Sequence, residues 1–149
     1  MTNETRIFAG TQKTLMASGA SIANNTLAQA TTANYAVVAD GAGYPDAEFV
    51  LSVTFATAPT EGTTLALYCA PQNIDGINGA QVPEATRPTV FIGVFVVNDV
   101  TTAQYIPLNG IVARDVPLIG SYYLHNNGTG QSVSAGWTLK VTPRTKGPV

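Results

Sequence analysis

The sequence predicts an all-β protein: an antiparallel β-sandwich or jelly roll of about eight strands, with an extended N-terminal arm. Apolar and polar residues alternate along several segments, Asn-Gly and Asp-Gly pairs separate the segments, and helical periodicity is nearly absent. The chain has 149 residues, of which 45% are hydrophobic, so it is long enough to bury one core without disulfides. We expect a single sandwich domain over residues 31–143.

The first 30 residues contain few large apolar side chains and form the predicted arm. Weak strand patterns occur near residues 5–8 and 12–17, and one of the two is doubtful. The Ala-rich stretch 15–39 is not predicted to be helical, because glycine, asparagine and paired threonines interrupt it. Its end, residues 33–39, is predicted to form a strand.

Three central segments have the strongest strand patterns. Residues 47–57 and 63–70 alternate, with one apolar face on each: Phe49, Leu51, Val53, Phe55 and Leu65, Leu67, Cys69. Residues 89–98 are apolar on both faces. This third segment is therefore expected to be a central strand, or a strand whose second face is covered by a partner chain.

Three further strands are predicted at residues 101–108, 117–125 and 132–142. The last has the clearest alternation, which places Trp137 in the core together with Val133, Ala135, Leu139 and Val141. Pro143 follows this strand at once, so residues 144–149 are expected to be a frayed tail.

Charged residues make up only 11% of the chain, against about 25% in an average soluble domain. A surface poor in charge suits burial by a partner, although a neutral Thr-rich β surface explains the composition equally well. The net charge is −2, and the seven Lys and Arg residues are scattered along the sequence, so no nucleic-acid partner is expected. No apolar run is long enough to span a membrane, and no signal peptide is expected at the N-terminus.

Candidate catalytic and metal-binding residues are few. The chain has one cysteine and one histidine, Cys69 and His125, so neither a disulfide nor a zinc site is expected. Cys69 is predicted to be buried, and a Cys69–His125 nucleophile pair has no local motif in its favour. The loop 75–79, which begins at Asp75, could bind calcium weakly but is better explained as a turn. We expect no cofactor and no enzymatic activity.

The aromatic residues leave one alternative open. Tyr122 and Tyr123 are adjacent in a predicted strand, so they point to opposite faces, and one of them is expected to be exposed or at an interface. Together with Tyr105 they could form the sugar-stacking surface of a carbohydrate-binding β-sandwich. That alternative requires the three rings to be exposed.

Four segments resemble small virion structural proteins of tailed bacteriophages: residues 44–51 (YPDAEFVL), 73–76 (NIDG), 96–105 (VVNDVTTAQY) and 134–143 (SAGWTLKVTP). The resemblance runs from about Tyr44 to Arg144. It implies a non-enzymatic capsid decoration (cement) protein that binds the outer surface of a phage head and bridges capsomers. The implied partners are the major capsid protein and further copies of the chain, as a dimer or trimer. A tail, neck or fibre-associated role remains the alternative.

The candidate interface lies in the predicted arm, which is expected to contact a neighbouring subunit. Its residues are the arm's large apolar side chains and one cation: Arg6, Ile7, Phe8, Leu15, Ile22 and Leu27. Deletion of residues 1–30 is expected to weaken assembly while the sandwich stays folded.

Overall fold

A computed structural model describes residues 5–30, 35–36, 44–71, 90–113 and 119–148. Every regular element within these ranges is a β-strand. They are β1 (Thr5–Ala9), β2 (Lys13–Gly19), β3 (Leu27–Gln29), β4 (Tyr35–Ala36), β5 (Asp46–Val53), β6 (Thr64–Pro71), β7 (Val90–Val96), β8 (Gln104–Ala113), β9 (Ile119–Asn127) and β10 (Trp137–Pro148).

The strands form two antiparallel sheets, which confirms the predicted all-β sandwich. In the first sheet the order is β1-β10-β5-β8, and β2 also pairs with β10. In the second sheet the order is β3-β9-β6-β7, and β4 also pairs with β9. Because β1 with β2, and β3 with β4, each share one edge, every sheet has four strand positions. Eight positions in this order are the two interlocked Greek keys of a jelly roll.

The hydrophobic core lies between the two sheets and follows the predicted alternation. The apolar sets predicted for the segments that contain β5, β6 and β10 are buried, including Phe49, Leu67, Cys69 and Trp137, with one exception. Ala135 is exposed, because it lies in the turn before β10, where the alternation of an extended strand does not apply. The alternate neighbours of the buried residues face outward, where serine and threonine can reach water. The predicted burial of Trp137 is confirmed, and its indole N–H donates to the carbonyl oxygen of Ala20 at 2.7 Å.

Strand β7 is an edge strand, so the prediction of a central position is wrong. It pairs with β6 on one side, and the described residues place no strand on its other side. Phe95 on β7 and Val97 just after it are buried in the core, but Phe91 and Val96 are exposed. A sequence pattern with apolar residues on both faces of a strand indicates that both faces are covered. The pattern does not indicate whether the second face is covered by this chain or by another molecule.

The predicted frayed tail is part of a strand, because β10 continues through Pro143 to Pro148. The carbonyl oxygen of Pro143 accepts a hydrogen bond from the Gly10 N–H at 2.8 Å, on the side of β1 and β2. The N–H and C=O of one strand residue point to the same side, so the N–H that proline lacks would also face that edge. On that side of β10, residues 10–12 separate β1 from β2, so no strand needs the missing N–H. The pairing of β10 with β5, on the other side, is not affected.

Much of the segment predicted as an arm belongs to the sandwich. Strand β2 pairs with β10, and Leu15 and Ile22 are buried in the core. The short strand β3, which the sequence pattern does not predict, pairs with β9. Deletion of residues 1–30 would therefore remove an edge of each sheet along with core side chains, and the sandwich is not expected to tolerate it.

Candidate functional site

The two ends of the described chain meet in a two-stranded antiparallel ribbon. Strand β1 pairs with residues 144–148 of β10, from Ala9 opposite Arg144 to Thr5 opposite Pro148. The pairing of β10 with β5 ends at Arg144, so in the described structure residues 145–148 pair with β1 alone. We call β1 together with residues 144–148 the terminal ribbon.

The terminal ribbon exposes apolar side chains on both of its faces. Ile7 is 57% exposed and Phe8 is 42% exposed, and consecutive strand residues point in opposite directions. The Phe8 ring lies over Gly147 on the opposite strand. An isolated two-stranded ribbon is marginally stable in water, because it has no third layer against which to bury such residues. The terminal ribbon is therefore suited to packing against another molecule.

The terminal ribbon also gathers positive charge that is scattered in the sequence. Arg6, Arg144 and Lys146 lie on its two strands, and these are three of the seven Lys and Arg residues of the chain. Arg144 forms an ion pair with Glu48 on β5, while Arg6 and Lys146 are exposed. One signal for this strand was present in the sequence: polar residues occupy every second position from Thr138 to Lys146, across Pro143.

A shallow cleft beside the terminal ribbon has a volume of about 170 Å³ and is lined by Ile7, Asp46, Arg144, Thr145 and Lys146. Pockets for small molecules usually enclose about 300–1,000 Å³. The cleft is too small for such a ligand. It is large enough to receive a side chain from a docked surface.

The six residues of the predicted interface are distributed over three places. Arg6, Ile7 and Phe8 lie together on the terminal ribbon. Leu15 and Ile22 are core residues, which removes them from any surface contact. Leu27 is half-buried on β3, in the other sheet. Among the six, the ribbon residues are thus the exposed group.

Cys69 and His125 lie on opposite faces of the second sheet. Cys69 is in the core, whereas His125 stands opposite Ala66 on the outer face, with its ring centroid 6.3 Å from that of Tyr68. The sheet backbone separates the two side chains. They cannot share a proton as a nucleophile and its base.

Burial raises the pKa of the Cys69 thiol to about 12, against an ordinary value of 9.0, and a hydrogen bond with Tyr122 acts in the opposite direction. Below pH 9 the thiol is neutral in both the folded and the unfolded chain, so it contributes nothing to the pH dependence of stability. Between pH 9 and 12 the unfolded thiol ionises first, and the free energy of unfolding falls by up to about 1.4 kcal/mol per pH unit.

We expect urea titrations to show a loss of about 2 kcal/mol in the free energy of unfolding between pH 9 and 10.5. Burial also raises the pKa of Tyr123, so this residue adds to the loss above pH 10. Cys69→Ala is the control, because it removes the thiol and should flatten the curve between pH 9 and 10. A curve unchanged by this substitution would contradict the assignment.

The aromatic side chains do not form the row that a carbohydrate-binding surface needs. Tyr122 and Tyr123 are both buried, so the expectation that one of them is exposed is wrong. Tyr105 is 75% exposed, but it lies on β8 of the first sheet, whereas Tyr122 and Tyr123 lie on β9 of the second sheet. The three rings required by the carbohydrate-binding alternative are not on one surface.

In the described ranges, no three His, Cys, Asp or Glu side chains are placed to bind a metal ion. The loop 75–79, the candidate for weak calcium binding, lies outside the described residues. The same ranges contain no helix long and apolar enough to cross a membrane.

The fold and the terminal ribbon define a small jelly-roll protein with an exposed apolar and cationic edge. No family model matches the sequence, and neither does any curated protein. Among solved structures, the chain is similar to a chain in the structure of infectious bursal disease virus, Gx strain, with 14% identity and a TM-score of 0.37 over 97% of this chain. A chain of the Gt strain of the same virus has 16% identity and a TM-score of 0.35 over 95% of this chain. The VP2 subviral particle of that virus has 14% identity and a TM-score of 0.33 over 95% of this chain. The chain spans about a third of the length of the chains it matches: 35%, 32% and 33%.

Proposed function

We propose that this protein is a non-enzymatic virion structural protein that decorates the outer surface of a phage head. In this role it binds the major capsid protein and bridges neighbouring capsomers. The observation that carries the proposal is the terminal ribbon, where Ile7 and Phe8 are exposed on opposite faces next to Arg6 and Lys146. The jelly roll is one of the folds used by viral capsid domains, and it also occurs in lectins and cupins.

The physics of the terminal ribbon fits attachment to a lattice. Two exposed apolar side chains bury enough area for a modest contact, at roughly 1.5–3 kcal/mol for each one fully covered. A decoration protein that meets several capsomers multiplies such contacts through avidity. It stabilises the shell because it binds the assembled state and not the separate subunits. The exposed cations favour a partner surface that carries carboxylates.

Binding to intact heads tests the proposal directly. Purified protein is added to expanded phage heads that lack it, and bound protein is quantified after sedimentation. We expect saturable binding and a higher rupture temperature of the heads, measured by release of DNA. Heads that neither retain the protein nor gain thermal stability would contradict the proposal.

Substitution on the terminal ribbon tests the contact itself. We expect Ile7→Asp and Phe8→Asp each to weaken head binding at least tenfold, or about 1.4 kcal/mol, because a carboxylate replaces an apolar side chain in the contact. Tyr105→Asp is the matched control, since Tyr105 is also a large exposed side chain but lies on β8. Equal losses in all three variants would argue against the terminal ribbon as the attachment site.

A tail, neck or fibre position is the second candidate, because the phage resemblance of residues 44–144 covers virion proteins in general. Gold-labelled antibody on whole particles separates the two locations. Label on the tail would replace the head assignment, and label on the head would support it.

A further inference from the structure

The edge strands of the two sheets differ in how they are protected against pairing with another strand. Natural edge strands are blunted by bulges, by proline or by being very short. Strands β2, β7 and β8 each pair through a register shift, and β3 and β4 are only three and two residues long. Strand β1 has none of these devices, since its five residues pair with β10 in unbroken register and include no proline. Within the described residues, β1 is therefore the edge most open to a further strand.

The backbone groups on the free side of β1 can be assigned residue by residue. The Gly10 N–H donates to the Pro143 carbonyl oxygen, so the backbone groups of Gly10 face β10. Because these groups point to alternate sides along a strand, those of Phe8 and Arg6 also face β10. No strand of the described structure lies on the other side of β1. The residues whose N–H and C=O face that free side are Thr5, Ile7 and Ala9.

The terminal ribbon is also short of strands. Residues 145–148 pair with β1 alone, so this part of the first sheet has only two strands. Two strands are marginally stable in water, and three or more are needed for stability of their own. The side chains of Arg6, Ile7, Phe8 and Ala9 are all exposed, so no other part of the chain covers β1. A further strand along β1 would therefore stabilise the terminal ribbon.

We propose that β1 pairs with β1 of a second copy of this chain, antiparallel and about a two-fold axis at Ile7. Ile7 is the middle residue of β1 and its backbone groups face the free side, so this register pairs all five residues. Thr5 then stands opposite Ala9 of the copy at each end. The three outward-facing pairs would exchange two N–H···O bonds each, roughly six in all. A two-fold axis at any other residue of β1 would leave one end of the strand unpaired.

The side chains of β1 are complementary to a copy in this register. Arg6 lies opposite Phe8 of the copy, at a pair without hydrogen bonds, where facing side chains are closest. A guanidinium beside an aromatic ring is a favourable contact. The two Arg6 residues are only diagonal neighbours, about 7–8 Å apart, which is close to the Debye length at physiological salt. On the other face, Ile7 meets Ile7 of the copy. The sequence of β1 thus supplies both halves of every pair, which identifies the occupant as a second copy.

The paired copies form one four-stranded sheet from their two terminal ribbons. Because the two β1 strands run antiparallel, the two sandwiches lie at opposite ends of this sheet and do not collide. The pairing uses the edge of β1, so both faces of the ribbon remain open for the proposed contact with a phage head. Edge pairing covers less area than a standard interface, and the dimer is therefore expected to depend on protein concentration.

Light scattering at rising protein concentration tests the pairing. We expect the mass of the native chain to approach twice 15.5 kDa. Ala9→Pro should stay at 15.5 kDa, because proline removes an N–H that bonds to the copy and places its ring on that side. In the single chain this N–H faces solvent, where an edge strand tolerates proline. Ala9→Val keeps the N–H and is the matched control, which should dimerise like the native chain.

Disulfide trapping tests the register and does not require Ala9→Pro to fold. Ile7→Cys places two thiols across the two-fold axis, with α-carbons about 5.5 Å apart, which is within the range of a disulfide. Ala9→Cys places its two thiols about 14 Å apart along the paired strands, which is too far. With a mild oxidant, we expect a covalent dimer from Ile7→Cys and none from Ala9→Cys. Cys69 is buried and supplies no competing thiol.

Three results would overturn the proposal: a native mass that does not approach twice 15.5 kDa, a folded Ala9→Pro variant that dimerises like the native chain, or a covalent dimer that forms as readily through Ala9→Cys as through Ile7→Cys. Circular dichroism shows whether the variants keep the native β spectrum. Native protein that dimerises in this register but does not bind heads would remove the proposed function alone. Head binding by a native protein that stays monomeric would remove this inference alone.

Discussion

Replacing Gly19 by alanine is expected to lower the free energy of unfolding by about 4 kcal/mol. Gly19 pairs with Trp137 across the β2–β10 edge, and the indole occupies the space next to its α-carbon. A β-carbon added at Gly19 would lie 1.9 Å from Cε2 of Trp137, well inside van der Waals contact. The ring cannot yield easily, because it is buried and its N–H donates to the Ala20 carbonyl.

The indole must therefore leave its place, which costs about as much as losing a buried tryptophan, some 3–5 kcal/mol. Thermal and urea unfolding measure the loss, and a drop of about 10 °C in Tm is expected for a chain of this size. Trp137 is the only tryptophan, so its fluorescence should shift to the red in the folded variant.

Ser18→Ala is the matched control, at an exposed neighbouring position of β2, and should change the free energy of unfolding by less than about 0.5 kcal/mol. Combining Gly19→Ala with Trp137→Leu should cost less than the sum of the two single substitutions, since the smaller side chain relieves the clash. Additive costs would show that the two residues do not compete for one space.

The second large effect is expected at Asn126, where substitution by alanine should cost about 3–4 kcal/mol. Asn126 is fully buried at the end of β9. Its amide nitrogen donates to the carbonyl oxygens of Gln131 at 2.7 Å and Ile22 at 3.3 Å. Its side-chain oxygen accepts from the hydroxyl of Thr129 at 2.7 Å.

These bonds join two connections, residues 20–26 and 128–136, at one end of the sandwich. The backbone continues the same link, because Ile22 and Val133 exchange N–H···O bonds of 3.1 and 2.9 Å. Removing the amide takes away three hydrogen bonds at a buried site, each worth about 0.5–1.5 kcal/mol net. The Thr129 hydroxyl keeps the Gln131 carbonyl as a partner, and the Ile22 carbonyl keeps the Val133 N–H, so the loss comes from the missing bonds and from the space that the amide filled. The cost of Asn126→Ala therefore exceeds the value of a typical single hydrogen bond.

Asn127→Ala is the matched control, since it alters the same residue type one position along at an exposed site. It should change the free energy of unfolding by less than about 0.5 kcal/mol. Thr129→Val tests the network from its other end, and a double-mutant cycle with Asn126→Ala should show strong coupling. Equal costs at positions 126 and 127 would contradict the network.

The sequence alone determined that the segments of β5, β6 and most of β10 are strands, and which side of each faces the core. Alternation predicts their apolar sets, and the structure buries all of these residues except Ala135. This succeeded because the period of two is a local property of extended chain: successive side chains point to opposite faces whatever the strand pairs with. The burial of Trp137 and Cys69 follows from the same rule.

Only the tertiary structure decided which strands are neighbours. Strand pairing in a jelly roll joins segments that are distant in sequence. The residue pattern of β7 therefore indicates two apolar faces, but it does not indicate that the strand lies at the edge of its sheet. The same holds for the terminal ribbon, where Arg6 and Lys146 become neighbours although they stand near opposite ends of the chain.

Local rules also gave the wrong end for β10, because Pro143 usually terminates strand pairing. It is accommodated here because its N–H-free side faces the break between β1 and β2. That break lies more than a hundred positions away in sequence. Its effect on Pro143 exists only once the two segments lie side by side. Hydrophobic patterning could therefore predict the layers of this protein but not its edges, where the proposed attachment site lies.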